Sequence, residues 1–355
     1  MQGLTTVQSV SHGLEVKFQS GGRSGVLLVV FSQVRIPSGK FGLERLFAKT
    51  QHSCVFLNDI HSQWYLSAQQ GIDRAIDEAI AQENPERVIY YGASMGAYGA
   101  LVTGLRRQDG EIYAFSPELE LGVVGTQSAA YLTPSAPDKA DLLALLSESM
   151  KYPVHLFFGL FDWVDTNGYL AAQRLPHCAN RFCYGVAGPH ALHDQLYSLN
   201  IIRQLIKTFQ CDVAELLRAR GLLITPSLAD CAGFVRLGQA LAEGRVMHLP
   251  DVSRELSVNP GYRLLKAEHL ALQGKPQEGA ELQKWGSTLQ CDAVLKTTPK
   301  RWRKSFLIGA AELYSSCSEH TKAREALANC AAQFPIDERM LQLAAELDFV
   351  LPETQ

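Results

Sequence analysis

Val26-Leu27-Leu28-Val29-Val30-Phe31 is six apolar residues in succession, three of them β-branched. A strand with one face in water alternates apolar with polar residues. An unbroken run suits a strand covered on both faces. Related short runs occupy residues 14–18, 54–57, 88–91, 112–115, 154–158 and 182–186. Helix-like stretches fall between several of them, at 67–81, 95–107, 141–150 and 193–209. This alternation predicts an α/β fold: a mostly parallel sheet with right-handed crossovers, sandwiched by helices. In such sheets ligands bind beyond the carboxyl ends of the strands.

After about residue 210 the strand signals stop, and leucine and alanine recur at helical spacing. The chain is therefore divided into an α/β domain over 1–210 and an all-α accessory domain over 211–355. Within the second, Ala311, Tyr314, Ala323, Leu327 and Pro335 fall at the offsets of a tetratricopeptide-like helical hairpin. Ala267, Leu270, Gly274 and Gly279 match part of the same pattern. Helical hairpins of this kind offer a surface for a protein partner.

A net charge of −3 with 19% charged residues gives no reason to expect nucleic acid or an anionic membrane as partner. The start shows no basic segment leading into an apolar one, so no signal peptide is expected. No apolar run reaches the ~20 residues of a membrane span. The eight cysteines (Cys54, Cys178, Cys183, Cys211, Cys231, Cys291, Cys317 and Cys330) are scattered through predicted elements. They read as free thiols in a reducing compartment, and the expected location is cytoplasmic. His177, Cys178 and Cys183 lack a second pair at ligand spacing, so no metal is expected.

The chemistry centres on Val88-Ile89-Tyr90-Tyr91-Gly92-Ala93-Ser94-Met95-Gly96. A strand runs into a tight turn of small residues and then into a helix, the setting of a nucleophile elbow. Glycines two before and two after Ser94 relieve the crowding of such a turn. The amide of Met95, opening the helix, would face a developing oxyanion. A second donor is expected from the loop after residues 26–31, from the amide of Ser32 or Gln33. A serine needs a base, and the base a third group to orient it. The expected order is Ser, acid, His. Asp162 follows the strand at 154–158 and is the chosen acid, with Asp165 in reserve. His190 follows the strand at 182–186 and is the chosen base, with His193 in reserve. Trp64, Tyr65 and Trp163 lie in predicted loops at the site's edge, as substrate-binding candidates that stack on a sugar ring or as packing of the rim.

Through Gly92-Ala93-Ser94-Met95-Gly96, Asp162 and His190 the chain resembles the α/β-hydrolase superfamily over roughly residues 10 to 210. The resemblance implies a short form of the fold, with about one strand before the oxyanion strand and the insertion 116–150 as its cap. Val29-Val30-Phe31-Ser32, Asn58-Asp59, Trp64-Tyr65 and Ala114-Phe115-Ser116-Pro117 are similar in outline to capsule O-acetyltransferases and to the carbohydrate acetyltransferase of accessory Sec systems. Acyl transfer through a serine ester, with no cofactor, is what the resemblance implies. Water as acceptor makes an esterase. A sugar hydroxyl, with acetyl-CoA or a similar donor, makes an O-acyltransferase, and Arg35, Lys40 and Arg45 would then meet the donor's phosphates. A non-catalytic scaffold acting through the helical domain is the alternative from another class.

Overall fold

The apolar runs pair with one another because each carries side chains for two cores. In the computed structural model, which describes residues 5–9, 13–134, 136, 139–249, 251–288 and 294–352, eight strands form one sheet. They are β1 (Thr5–Ser9), β2 (Leu14–Gln19), β3 (Val26–Phe31), β4 (Ser53–Asp59), β5 (Arg87–Ala93), β6 (Glu111–Phe115), β7 (Val154–Gly159) and β8 (Arg181–Val186). Their order is β1-β2-β4-β3-β5-β6-β7-β8. β2 is antiparallel to both β1 and β4, and every pairing from β4 through β8 is parallel.

Alternation within β3 shows why the run is unbroken. Leu27, Val29 and Phe31 enter one core, with Ile72 and Ile76 of the helix Gln69–Glu83 and Leu101 and Leu105 of the helix Met95–Arg107. Val26, Leu28 and Val30 enter the other, with Leu196, Ile202 and Leu205 from the far side of the sheet. Burying a side chain of this size contributes about 1.5–3 kcal/mol. β3 is thus held from both faces.

Two expectations change. Two strands, not one, precede β3, because Thr5–Ser9 also joins the sheet. Its sequence, TTVQS, carries no apolar run; it is an edge strand with a single neighbour, so the signal used for the other strands is missing from it. The single helix expected over 193–209 is two, Leu192–Ser198 and Ile201–Thr208. Asn200 stands between them in the left-handed region at φ 65°, which asparagine tolerates and which ends a helix.

Sheet hydrogen bonding continues beyond residue 210: the Ala187 amide donates to the Leu222 carbonyl and the Ile224 amide to that of Gly185. Helices follow, among them Leu228–Ala242, Pro260–Leu272, Pro276–Thr288, Lys300–Ser316, His320–Gln333 and Glu338–Glu346. Small residues stand where helices approach closely. A Cβ at Gly279 would meet the Ala267 carbonyl, and Ala311, Tyr314, Ala323 and Leu327 lie together in one buried cluster. The helical region docks on the loop after β7. Asn259 donates to the Leu160 carbonyl at 2.8 Å, and Trp302 stacks on Phe161 with ring centres 5.8 Å apart. The seven described cysteines are free thiols, and Cys291 lies outside the described residues. Among the described residues no helix is long and apolar enough to cross a membrane.

Candidate functional site

Ser94 stands between the end of β5 and the helix Met95–Arg107, at φ 53° and ψ −120°. A non-glycine residue in that region is strained, and such strain persists only where the surroundings impose it. Here they do. The Ser94 amide donates to the Phe115 carbonyl at 2.8 Å, fixing one side of the turn. A Cβ at Gly92 would overlap the Gly96 carbonyl, and one at Gly96 would overlap the Phe31 carbonyl at the end of β3. The two glycines let the turn fold on itself and press against the end of β3. Met95 is the first residue of its helix, where amides have no partner within the helix. The Ser32 amide is taken by the Leu57 carbonyl at 2.9 Å. Of the two loop amides expected as second donor, Gln33 is therefore the one left.

His190, in the loop after β8, places Nε2 3.1 Å from Ser94 Oγ. Its Nδ1 lies 2.6 Å from Asp165 Oδ1. The chosen acid, Asp162, is not the group on the histidine: the structure puts the reserve residue there. Asp162 caps the helix Trp163–Gln173 instead, its Oδ1 accepting from the amides of Val164 at 2.9 Å and Asp165 at 3.1 Å. Asp165, one turn further on, points back toward the sheet. It is 1% exposed, and its Oδ2 accepts the Gly159 amide at 2.7 Å. Here the carboxylate nearer the strand caps the helix, and the one three residues later is turned to the strand end.

Donor atoms of Asp162, Asp165 and His190 lie within 4.8 Å of one another. Asp165 is turned to His190 and to the Gly159 amide, and Asp162 Oδ1 to two helix amides. Burial works against the His190 imidazolium, yet the charges of Asp165, Asp162 and Glu118 outweigh it and hold its pKa well above the ordinary 6.5. Burial, reinforced by the charge of Asp165, pushes the Asp162 carboxyl up.

The other site candidates are placed elsewhere. His193 is buried against Tyr91, its Nε2 2.7 Å from the phenol oxygen, and burial pushes it down to about 4. Trp64 and Tyr65 are buried and offer no stacking surface. Tyr65 donates to the carbonyls of Ser32 at 2.8 Å and Leu57 at 3.2 Å, tying down the end of β3. Trp163 packs against Gly238 of the helical region, where a Cβ would overlap its ring. Arg35 donates to the Tyr131 hydroxyl and lies over that ring at 5.4 Å.

One residue escaped the sequence reading. Gln127, in the insertion after β6, places Oε1 3.2 Å from Ser94 Oγ. A glutamine in a polar loop carries no signature; only the Thr126 N-cap, whose side chain accepts the Ala129 amide, marks a short helix there.

Serine after β5, carboxylate after β7 and histidine after β8 meet on a sheet of order 1-2-4-3-5-6-7-8. The fold is α/β: a mostly parallel sheet with helices against both faces. No family model and no curated protein matches the chain. Among solved α/β structures the chain is similar to a mutant capsule O-acetyltransferase of Neisseria meningitidis serogroup A in complex with CoA, at 17% identity, over 56% of this chain and 94% of that one, with a TM-score of 0.43. It is similar to an alpha-beta serine hydrolase homologue from Coxiella burnetii at 14% identity, over 58% and 98%, with a TM-score of 0.40. A Pyrococcus furiosus esterase matches at 14% identity over 57% and 90%, with a TM-score of 0.41.

Proposed function

We propose that the protein is a serine enzyme that cleaves carboxylic esters through an acyl-enzyme, with Ser94, His190 and Asp165 as its triad. The observation that carries this reading is one imidazole bridging a strained serine at 3.1 Å and a buried carboxylate at 2.6 Å. Asp165 fixes the tautomer, keeping Nδ1 protonated and Nε2 free to accept. Ser94 Oγ then attacks the ester carbonyl while its proton passes to Nε2. The Met95 amide, with that of Gln33, stabilises the oxyanion. Collapse breaks the carbon–oxygen bond to the alcohol, which takes the proton from His190. Water, deprotonated by His190, then attacks the acyl-enzyme and releases the acid and Ser94. No step calls on a metal or a redox cofactor.

Transfer to a hydroxyl acceptor, with acetyl-CoA as donor, uses the same groups. Collapse of the first adduct breaks the carbon–sulfur bond, and the CoA thiol leaves with the proton from His190. The acceptor hydroxyl then takes the place of water in attacking the acyl-enzyme. The burial of Trp64 and Tyr65 removes two of the three aromatic side chains on which a sugar platform rested. The helical region, which we read as a stack of tetratricopeptide-like hairpins, supports the segment that leads into the helix bearing Asp165. The test is hydrolysis of short-chain acetyl esters by the wild type and Ser94→Ala. The expected loss in kcat is about 10⁶-fold with the fold unchanged by circular dichroism. Undiminished turnover in Ser94→Ala would remove the mechanism.

A further inference from the structure

We propose that Gln127 recognises a hydrogen-bond donor, O–H or N–H, carried by the alcohol portion of the substrate ester close to the scissile bond. This rests on the reading of Ser94 as nucleophile.

The backbone around Gln127 is pinned on both sides. The buried Glu118 carboxylate accepts the Ser128 amide at 3.2 Å and the Ser128 hydroxyl at 2.5 Å. The Ser128 hydroxyl in turn accepts the Gly122 amide at 2.7 Å. Thr126 caps the turn from the other side. Gln127 itself is exposed, so a fixed strut presents a side chain whose torsions are free to turn. Its carbonyl oxygen is directed at the nucleophile, 3.2 Å from Oγ.

The Ser94 hydroxyl has one proton and two acceptors competing for it, His190 Nε2 at 3.1 Å and Gln127 Oε1 at 3.2 Å. When His190 is charged, Nε2–H donates to Oγ and the serine proton goes to Gln127. Attack on an ester requires the opposite arrangement, with the serine proton on the line to Nε2. At that moment Oε1 loses its donor, and an ester seated over the exposed side chain would keep water from replacing it. A carbonyl so placed gains from a donor on the substrate and loses with a substrate that has none. The position of that donor follows from the bonding. In the tetrahedral adduct the leaving oxygen and Oγ share one carbon, so a donor on the second carbon beyond the leaving oxygen, three bonds from it, falls within reach of a group that touches Oγ. Monoesters of vicinal diols and of vicinal amino alcohols have this form.

Two acetates that differ in the donor alone provide the test: 2-hydroxyethyl acetate and 2-methoxyethyl acetate, with the wild type, Gln127→Leu and Gln127→Ala. The expected result is a wild-type kcat/KM about tenfold higher for the hydroxy ester, one hydrogen bond's worth. In both variants the ratio of the two rates should fall to about one. Equal wild-type rates on the two esters, a preference that survives in both variants, or loss of both activities in folded variants would each overturn the inference. Turnover of neither ester by a protein whose Ser94 reacts with a fluorophosphonate would overturn it while leaving the catalytic serine in place. Turnover of neither, with Ser94 inert to the probe, would remove the reading of Ser94 beneath it.

Discussion

His190 faces two carboxylates that differ in what they bind. Asp165 holds the ring nitrogen, while Asp162 holds two helix amides and acts on the imidazole through its charge alone. Their removal should therefore have different effects. Asp165→Asn is expected to lower kcat about 10³- to 10⁴-fold, because the amide leaves the imidazole in the wrong tautomer. Asp162→Asn keeps a good helix cap and should keep most of the rate at high pH. The sign of its pH effect follows from the shift. In the proposed mechanism His190 must be neutral, and its pKa is raised, so activity is expected only as pH climbs above the ordinary histidine value. Removing the charge of Asp162 stabilises the imidazolium less and moves that acid limb downward. Profiles of kcat/KM against pH for the two variants check both statements; the larger loss in Asp162→Asn would return the acid's role to that residue. The sequence showed both aspartates after the strand at 154–158. It did not show that the helix begins at Trp163, and that boundary decides which carboxylate becomes the cap.

The elbow is a local element whose spelling carried most of its geometry. Gly92 and Gly96 occur where the turn meets itself and where it meets the end of β3. A Cβ at Gly96 would press on the Phe31 carbonyl, which is backbone in a buried central strand and cannot turn aside. Gly96→Ala should cost about 1–3 kcal/mol, an overpacking penalty, and should lower the rate as well, since relief comes only by shifting Ser94 or the loop after β3. Urea denaturation alongside ester hydrolysis measures the two together, and wild-type stability and rate would contradict the account. The strands were legible for a related reason: a run buried on both faces has to be apolar throughout. Thr5–Ser9 and the break at Asn200 were not, because an edge strand lacks that pattern and helical periodicity can cross a single left-handed residue without changing phase.

Across the whole molecule, the helical region clasps the segment from Leu160 to Trp163 that leads into the helix bearing Asp165. Asn259 bonds the Leu160 carbonyl, a Cβ at Gly261 would overlap the Phe161 carbonyl, Trp302 stacks on Phe161, and Gly238 receives Trp163. None of this was legible in the sequence. Contacts between residues near 160 and residues from 238 to 302 depend on how two layers dock, and periodicity reports only the inner face of each. Trp163 shows the consequence: a tryptophan beside a site suits a ligand platform and an internal joint equally well, and only the position of Gly238 separates them. The Gln127 contact belongs to the same class, since it joins an insertion to the elbow across the mouth of the site. What the chain as a whole delivers to one point is a strained serine under an oriented imidazole. Reaction with a fluorophosphonate, followed by intact mass and peptide mapping, tests that most directly. One adduct per chain, on Ser94, and its loss in His190→Ala are predicted. No adduct on the folded protein, or an adduct that persists undiminished in His190→Ala, would contradict the proposed mechanism.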